Sequence, residues 1–208
     1  MKARRLFVNA LTFLRVPLIF AWLALAVAEE YFGGFALGFW ACASMLLAGL
    51  TDAFDGALAR KWDVVSQLGK MADPLMDKVF FVVSFPALTW IIMRQGGPDA
   101  HSLLMLLFTI LYVLRDLWVT FMRSVGAMFG ADVAAMPLGK VRTALSFPAA
   151  GWIYLYLLLH AQVPGRWSSP WLWSCYLVEA ALVALNLVSS VTYTRAYMPY
   201  LKKALERK

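Results

Sequence analysis

Between residues 52 and 77 the chain reads Asp52-Ala-Phe-Asp55-Gly56-Ala-Leu-Ala59-Arg60, then eight residues, then Gly69-Lys-Met-Ala-Asp73-Pro-Leu-Met-Asp77. Asp52 and Asp55 are three residues apart, and Asp73 and Asp77 four, so on helices each pair shares a face. The stretch between the pairs, Lys61 to Leu68, is a short polar turn, which makes the two helices antiparallel neighbours. With Trp62 and Gln67 taken as the facing helix ends, Asp52 and Asp77 lie about 15 Å along their helices, and Asp55 and Asp73 about 10 Å. The four carboxylates thus fall into two layers of one box. Four negative charges in apolar surroundings are costly unless cations neutralise them. One or two hard divalent cations would do so through oxygen ligands: Mg²⁺, which binds few carboxylates and shares its shell with phosphates, or Mn²⁺.

The residues beside the acids fit such a site. Gly56, Ala59 and Gly69 leave bare backbone where another helix or a flat ligand can approach. Arg60 stands at the mouth of the box, where a guanidinium can grip a phosphate in two places. The competing reading is a purely structural ion-pair cluster with Lys70, Lys78 and Arg60 as partners. Four acids at regular spacing fit a metal site better than paired salt bridges. Further along, Arg115, Asp116, Arg123, Lys140 and Arg142 fall at or just below the level of the aspartates. Arg123, Lys140, Arg142 and Arg115 could line an anion pocket. Lys140 and Arg142 are equally explained as charges flanking a membrane span, and Arg115 as an ion-pair partner of an aspartate. Arg15 is ambiguous in the same way. Asn9 and Thr12, one turn apart, could reach a ligand or merely cap.

What must hold these residues is a membrane protein. The chain has 208 residues and is 62% hydrophobic. Six stretches are long and apolar enough to cross a bilayer as helices: Leu11–Ala28, Phe35–Arg60, Leu68–Met93, Leu103–Phe129, Leu138–Gln162 and Trp171–Thr194. The expected fold is all-α and integral to the membrane. It is a single domain over residues 1–208, with six transmembrane helices around a polar cavity facing the cytoplasm. Residues 1–10 are expected as a short helix along the membrane surface. Lys and Arg crowd the ends that would lie inside if both termini are cytoplasmic, while only Arg94 and Arg166 mark the other side. The net charge of +7 therefore favours anionic lipid head groups rather than nucleic acid. The basic N-terminus and Ala26-Val27-Ala28 resemble a signal peptide, but Arg15 interrupts the apolar run, and a retained first helix is expected. Cys42 and Cys175 read as small apolar packers, and His101 and His160 as interfacial residues.

The pattern Asp52-x2-Asp55-Gly56-x2-Ala59-Arg60-x8-Gly69-x3-Asp73-x3-Asp77 resembles the signature of the CDP-alcohol phosphotransferases at every defined position. The resemblance implies an integral membrane enzyme, homodimeric, that moves a phosphatidyl or related group from a CDP-linked donor to an alcohol and releases CMP. It implies that Asp52, Asp55 and Asp73 bind the metals and that Asp77 is a metal ligand, the general base, or both. By the same likeness Gly56, Ala59 and Gly69 line the cytidine pocket and Arg60 contacts the donor diphosphate; Asn9 and Thr12, read from their spacing as possible ligand contacts, are expected on the donor side. Leu114-Arg115-Asp116-Leu117, Arg123 and Gly139-Lys140-Val-Arg142-Thr143 resemble the phosphatidylglycerophosphate synthase branch. Arg142 stands where that branch usually has Lys, and Ser146-Phe147 where a Gln often follows. The implied substrates are CDP-diacylglycerol and glycerol 3-phosphate, and the expected location is a bacterial inner membrane. Other acceptors (inositol phosphate, serine, or phosphatidylglycerol as in a cardiolipin synthase) are the nearest alternatives. A divalent-cation transporter is a remote one, because no second acidic motif occurs in residues 104–208.

Overall fold

The structure, a computed structural model, describes residues 2–64, 66–131, 137–160 and 170–206; within these, the side chains of Gln67, Lys70, Met71, Asp73, Pro74, Pro137, Leu138 and Lys140 lie outside the description. Six helices follow one another: α1 (Lys2–Phe32), α2 (Phe35–Lys61), α3 (Gln67–Arg94), α4 (Asp99–Met128), α5 (Pro137–His160) and α6 (Pro170–Glu206). No strand occurs among the described residues. All but α5 are both long enough and apolar enough to cross a bilayer. At 24 residues α5 is also long enough, with Pro148, Trp152, Tyr154 and Tyr156 diluting its apolarity. The architecture is therefore an all-α integral membrane bundle, as the hydropathy pattern predicts.

Two boundaries differ from expectation. Residues 2–10 are the opening turns of α1, continuous with the rest of that helix, rather than a separate surface segment. The last helix runs on past Thr194 to Glu206, 37 residues in all, so its basic end projects about 20 Å beyond the predicted span.

The turns that reverse the chain are chemically specified. Gly33 and Gly34 take φ of 67° and 109°, which side chains rarely adopt, so α1 folds back onto α2 through just two residues. At the other end of α2, Asp63 sits in the left-handed region (φ 51°). There the Val64 N–H donates to the Ala59 carbonyl at 3.1 Å and the Asp63 N–H to the Arg60 carbonyl at 3.3 Å. This is a Schellman stop with Asp in the place usually held by Gly, and buried Val64 supplies its apolar contact. Ser66 then starts α3 as its N-cap, its Oγ accepting the Gly69 N–H at 2.9 Å. α1 packs against both α2 and α3, so their acid-bearing ends meet across α1 rather than packing directly on one another as the short turn predicts.

Ile19, Trp22 and Ala26 of α1 pack with Ala41, Met45 and Ala48 of α2, where small residues let the helices approach. Phe80, Phe81, Phe85, Phe108 and Tyr112 join α3 to α4 in a chain of ring contacts 4.7–5.9 Å between centroids, and Phe147 of α5 stacks on it. These rings form a floor under the polar end of the bundle. At the opposite end, His101 and Glu179 are fully buried and bonded, Nε2 to Oε1 at 2.7 Å, tying α4 to α6. His101 is thus an interior residue, not the interfacial one predicted. His160 stacks on Tyr156 and meets Trp171 edge-on, with 4.8 Å between centroids in each case. The two cysteines are unpaired, Cys175 in the core and Cys42 half-buried.

Candidate active site

Three helices meet at the acid cluster, α2 and α3 with the acids and α1 with their hydrogen-bond donors. Asn9, Thr12 and Arg15 are spaced three residues apart on α1 and face the motif ends of α2 and α3. Arg15, 1% exposed, reaches three of the motif carboxylates at once. Its Nη2 donates to Asp52 Oδ1 at 2.6 Å and to Asp55 Oδ2 at 3.3 Å, and its Nη1 donates to Asp77 Oδ1 at 2.7 Å. Thr12 Oγ1 donates to the same Asp55 oxygen at 2.8 Å. Asp55 is buried at 4% exposure, whereas Asp52 at 42% and Asp77 at 27% open outward. Asp52, Asp55 and Asp77 therefore converge as the spacing predicts. Asp73 lies one turn before Asp77 on α3, and its side chain is outside the described set.

Neither Lys78 nor Arg60 is the cation at the centre of the cluster. Lys78 turns away to Asp116 at 3.2 Å. Arg60 is exposed and folds back over Gly56, its Nη1 3.4 Å from where a Cβ on that glycine would stand. The side chain of Lys70 lies outside the description. Among the described residues no three His, Cys, Asp or Glu side chains are gathered as tightly as a bound metal would hold them. The guanidinium of Arg15 stands between the carboxylates instead. The donor set is nonetheless what a hard divalent cation takes: three carboxylates on two antiparallel helices, close enough to share one small cationic group.

Gly69 and Asn9 are brought together at the neighbouring helix start. Ser66 Oγ donates to Asn9 Oδ1 at 2.8 Å, and a Cβ on Gly69 would sit 3.1 Å from that hydroxyl and 3.6 Å from the asparagine oxygen. Gly56 and Ala59 lie half-buried on α2, a turn or less from Asp55.

Asp52 and Asp77 open into a cavity of about 450 Å³. Its far wall is cationic and comes from α4, α5 and α6. Arg115 Nη1 contacts Asp116 Oδ1 at 3.3 Å, Nη2 donates to Ser189 Oγ, and the guanidinium lies 5.2 Å from the Tyr193 ring. Arg142 repeats the arrangement, bonding Asp116 Oδ1 at 3.1 Å and Asn186 Oδ1 at 3.1 Å over the face of Tyr112 at 4.1 Å. Asp116 thus anchors Arg115, Arg142 and Lys78. Arg123 lines the same cavity and has no acidic partner among the described residues. The Nε atoms of Arg115, Arg123 and Arg142 are buried without a hydrogen-bond partner. Arg142, 3% exposed, is no flanking surface charge, and Arg115 pairs with Asp116 rather than with a motif aspartate. Lys140 begins α5 next to Gly139, but its side chain is outside the described set.

Several residues of this wall escape a reading by motif. Asp116 stands out only as the neighbour of Arg115. Asn186, Ser189 and Tyr193 carry no known spacing, yet Glu179, Asn186, Ser189 and Tyr193 recur on one buried face of α6. A polar stripe at helical period inside an apolar helix is the signal that could have exposed them.

The membrane bundle thus carries an acid cluster and an arginine wall on one cavity. The chain belongs to the CDP-alcohol phosphatidyltransferase family, which it matches over residues 5–192. It is 28% identical over 160 residues to the CDP-diacylglycerol–glycerol-3-phosphate 3-phosphatidyltransferases of Salmonella choleraesuis and Escherichia coli, covering 76% of this chain and 74% of each relative. It is also 40% identical over 75 residues to the CMP-forming cardiolipin synthase of Streptomyces coelicolor, a match spanning 36% of this chain and 33% of that protein.

Proposed function

We propose that this enzyme transfers the phosphatidyl group of CDP-diacylglycerol to glycerol 3-phosphate, giving phosphatidylglycerophosphate and CMP. The observation that carries the reading is the two-sided cavity. Carboxylates Asp52 and Asp77 stand on one wall, and Arg115, Arg123 and Arg142 on the other, across a space of about 450 Å³. The first wall suits a metal-bound diphosphate and the second a phosphate-bearing acceptor. Arg123 favours a phosphomonoester in particular, because it is charged, lines the cavity and pairs with no carboxylate among the described residues.

Asp52, Asp55, Asp73 and Asp77 would hold one or two Mg²⁺ or Mn²⁺ ions, which when bound neutralise the diphosphate and help CMP depart. Gly56, Ala59 and Gly69 leave room for the cytidine, with Asn9 and Thr12 on the same side. Arg60, exposed at the helix end, is free to swing onto the donor phosphates. Arg123 and Lys140 grip the acceptor phosphate, and Arg115 and Arg142, pre-oriented by Asp116, Asn186, Ser189 and two tyrosines, shape the pocket around it. Asp77 accepts the proton of the acceptor's free hydroxyl. That oxygen bonds to the phosphorus carrying diacylglycerol while the bond from this phosphorus to CMP breaks. The active site faces the cytoplasm of a bacterial inner membrane, where the soluble acceptor is available, and the protein works as a homodimer, as the family likeness implies.

The stretch shared with a cardiolipin synthase favours a second reading, in which phosphatidylglycerol is the acceptor. A CMP-release assay on purified protein with CDP-diacylglycerol separates the two. Glycerol 3-phosphate, phosphatidylglycerol, inositol phosphate and serine are offered in turn, with and without chelator. Metal-dependent CMP release with glycerol 3-phosphate alone supports the first reading, and release with phosphatidylglycerol supports the second.

A further inference from the structure

We infer that Arg15 is a built-in counter-ion that holds the carboxylate cluster assembled without metal and competes with divalent cations for it. The inference rests on the metal-binding reading above and concerns a residue that reading does not use. A guanidinium at 1% exposure is costly in an apolar bundle unless its charge is met, and here it is met by three acids. Conversely, Asp55 is nearly as buried, and its only cationic partner within ion-pair distance among the described residues is Arg15. The two helices bearing the acids would repel one another if the carboxylates stood unneutralised. Arg15 spans them, Asp52 and Asp55 on α2 with Nη2 and Asp77 on α3 with Nη1.

That placement has a consequence for metal. The guanidinium occupies the space between the oxygens a shared ion would need, and the described acids are not gathered around any other point. A divalent ion entering the cluster must therefore displace these hydrogen bonds and work against the field of the arginine. Thr12 keeps hold of Asp55 through a neutral hydrogen bond, which survives the exchange. The metal-free enzyme is then folded and pre-shaped, and its affinity for metal is weaker than four carboxylates alone would give.

The test measures Mn²⁺ binding by electron paramagnetic resonance on the detergent-purified full chain, with no substrate, for wild type, Arg15→Gln and Arg15→Lys. Thermal melting with and without Mn²⁺ accompanies it. Arg15→Gln should bind Mn²⁺ at least tenfold more tightly than wild type. It should melt at a lower temperature when metal-free and gain more on Mn²⁺ addition. Arg15→Lys, which keeps the charge but spans fewer carboxylates, should fall between them, two- to fivefold tighter than wild type. Arg123→Gln, across the cavity, controls for charge removal at a distance and should shift affinity less than twofold. Equal or weaker Mn²⁺ binding by Arg15→Gln overturns the inference while leaving the metal reading intact. If that variant is not recovered folded, weaker binding by Arg15→Lys overturns it instead. Absence of Mn²⁺ binding at millimolar concentration in wild type and in both Arg15 variants defeats both.

Discussion

Single side chains carry the chemistry, and each makes a separate claim. Asp77 is partly open to the cavity and held by Arg15, a suitable position for taking a proton from an incoming hydroxyl. Asp77→Asn should lower CMP release by about 10²–10⁴-fold, the usual worth of a general base, while donor affinity changes little. Wild-type-like turnover in that variant would remove Asp77 from the base role. Arg123→Ala should act on the acceptor side alone. Loss of one charge-assisted contact, about 1.5–3 kcal/mol, predicts a fall in kcat/KM for glycerol 3-phosphate of roughly tenfold to a hundredfold, seen mainly in KM. Donor binding measured in parallel should be unchanged. At this scale the sequence was informative about acids and poor about their partners. The acids announce themselves because repeated Asp in apolar helices has few structural explanations. Arg15 does not, because a lone arginine in a span is equally compatible with several neighbours, and only the packed α1 decides among them.

Helices and turns translate those spacings into position. The Schellman stop at Asp63 and the Ser66 cap fix the ends of α2 and α3, and both can be traced to single residues. Ser66→Ala removes the Gly69 cap and the bond to Asn9. It should cost about 1 kcal/mol of stability, read as a lower melting temperature, and should weaken donor binding as the helix start loosens. At the far end of the bundle, Glu179→Ala would strand buried His101 without its carboxylate. A penalty of about 1–3 kcal/mol is expected in thermal melting, with CMP release per folded enzyme unchanged at permissive temperature. Loss of activity without loss of stability would instead tie this pair to the reaction. The number of helices and their order were legible from apolar length, but not the packing around the acids: a short turn predicts α2 directly against α3, whereas α1 packs on both and bridges them through Arg15. The continuity of α1 through residues 2–10 was not, because basic residues there suit a surface helix and a protruding one equally. The polar stripe of α6 was hidden for a related reason: each of its members is unremarkable until packing brings them onto the arginine wall.

For the whole molecule, the organising feature is the division of one membrane bundle into an aromatic, apolar part and an end where charged side chains line a cavity. The family match extends over residues 5–192, nearly the full length of the sequence. Acids from α2 and α3 and arginines from α4 and α5 meet across a single space, which on the proposed reading both substrates occupy together. The most direct check is CMP release by the purified enzyme from CDP-diacylglycerol, with each acceptor in turn, before and after chelation. Release that requires glycerol 3-phosphate, stops with chelator and returns on adding Mg²⁺ or Mn²⁺ is the predicted result. Release that persists in chelator, or that proceeds with phosphatidylglycerol and not with glycerol 3-phosphate, would contradict the account.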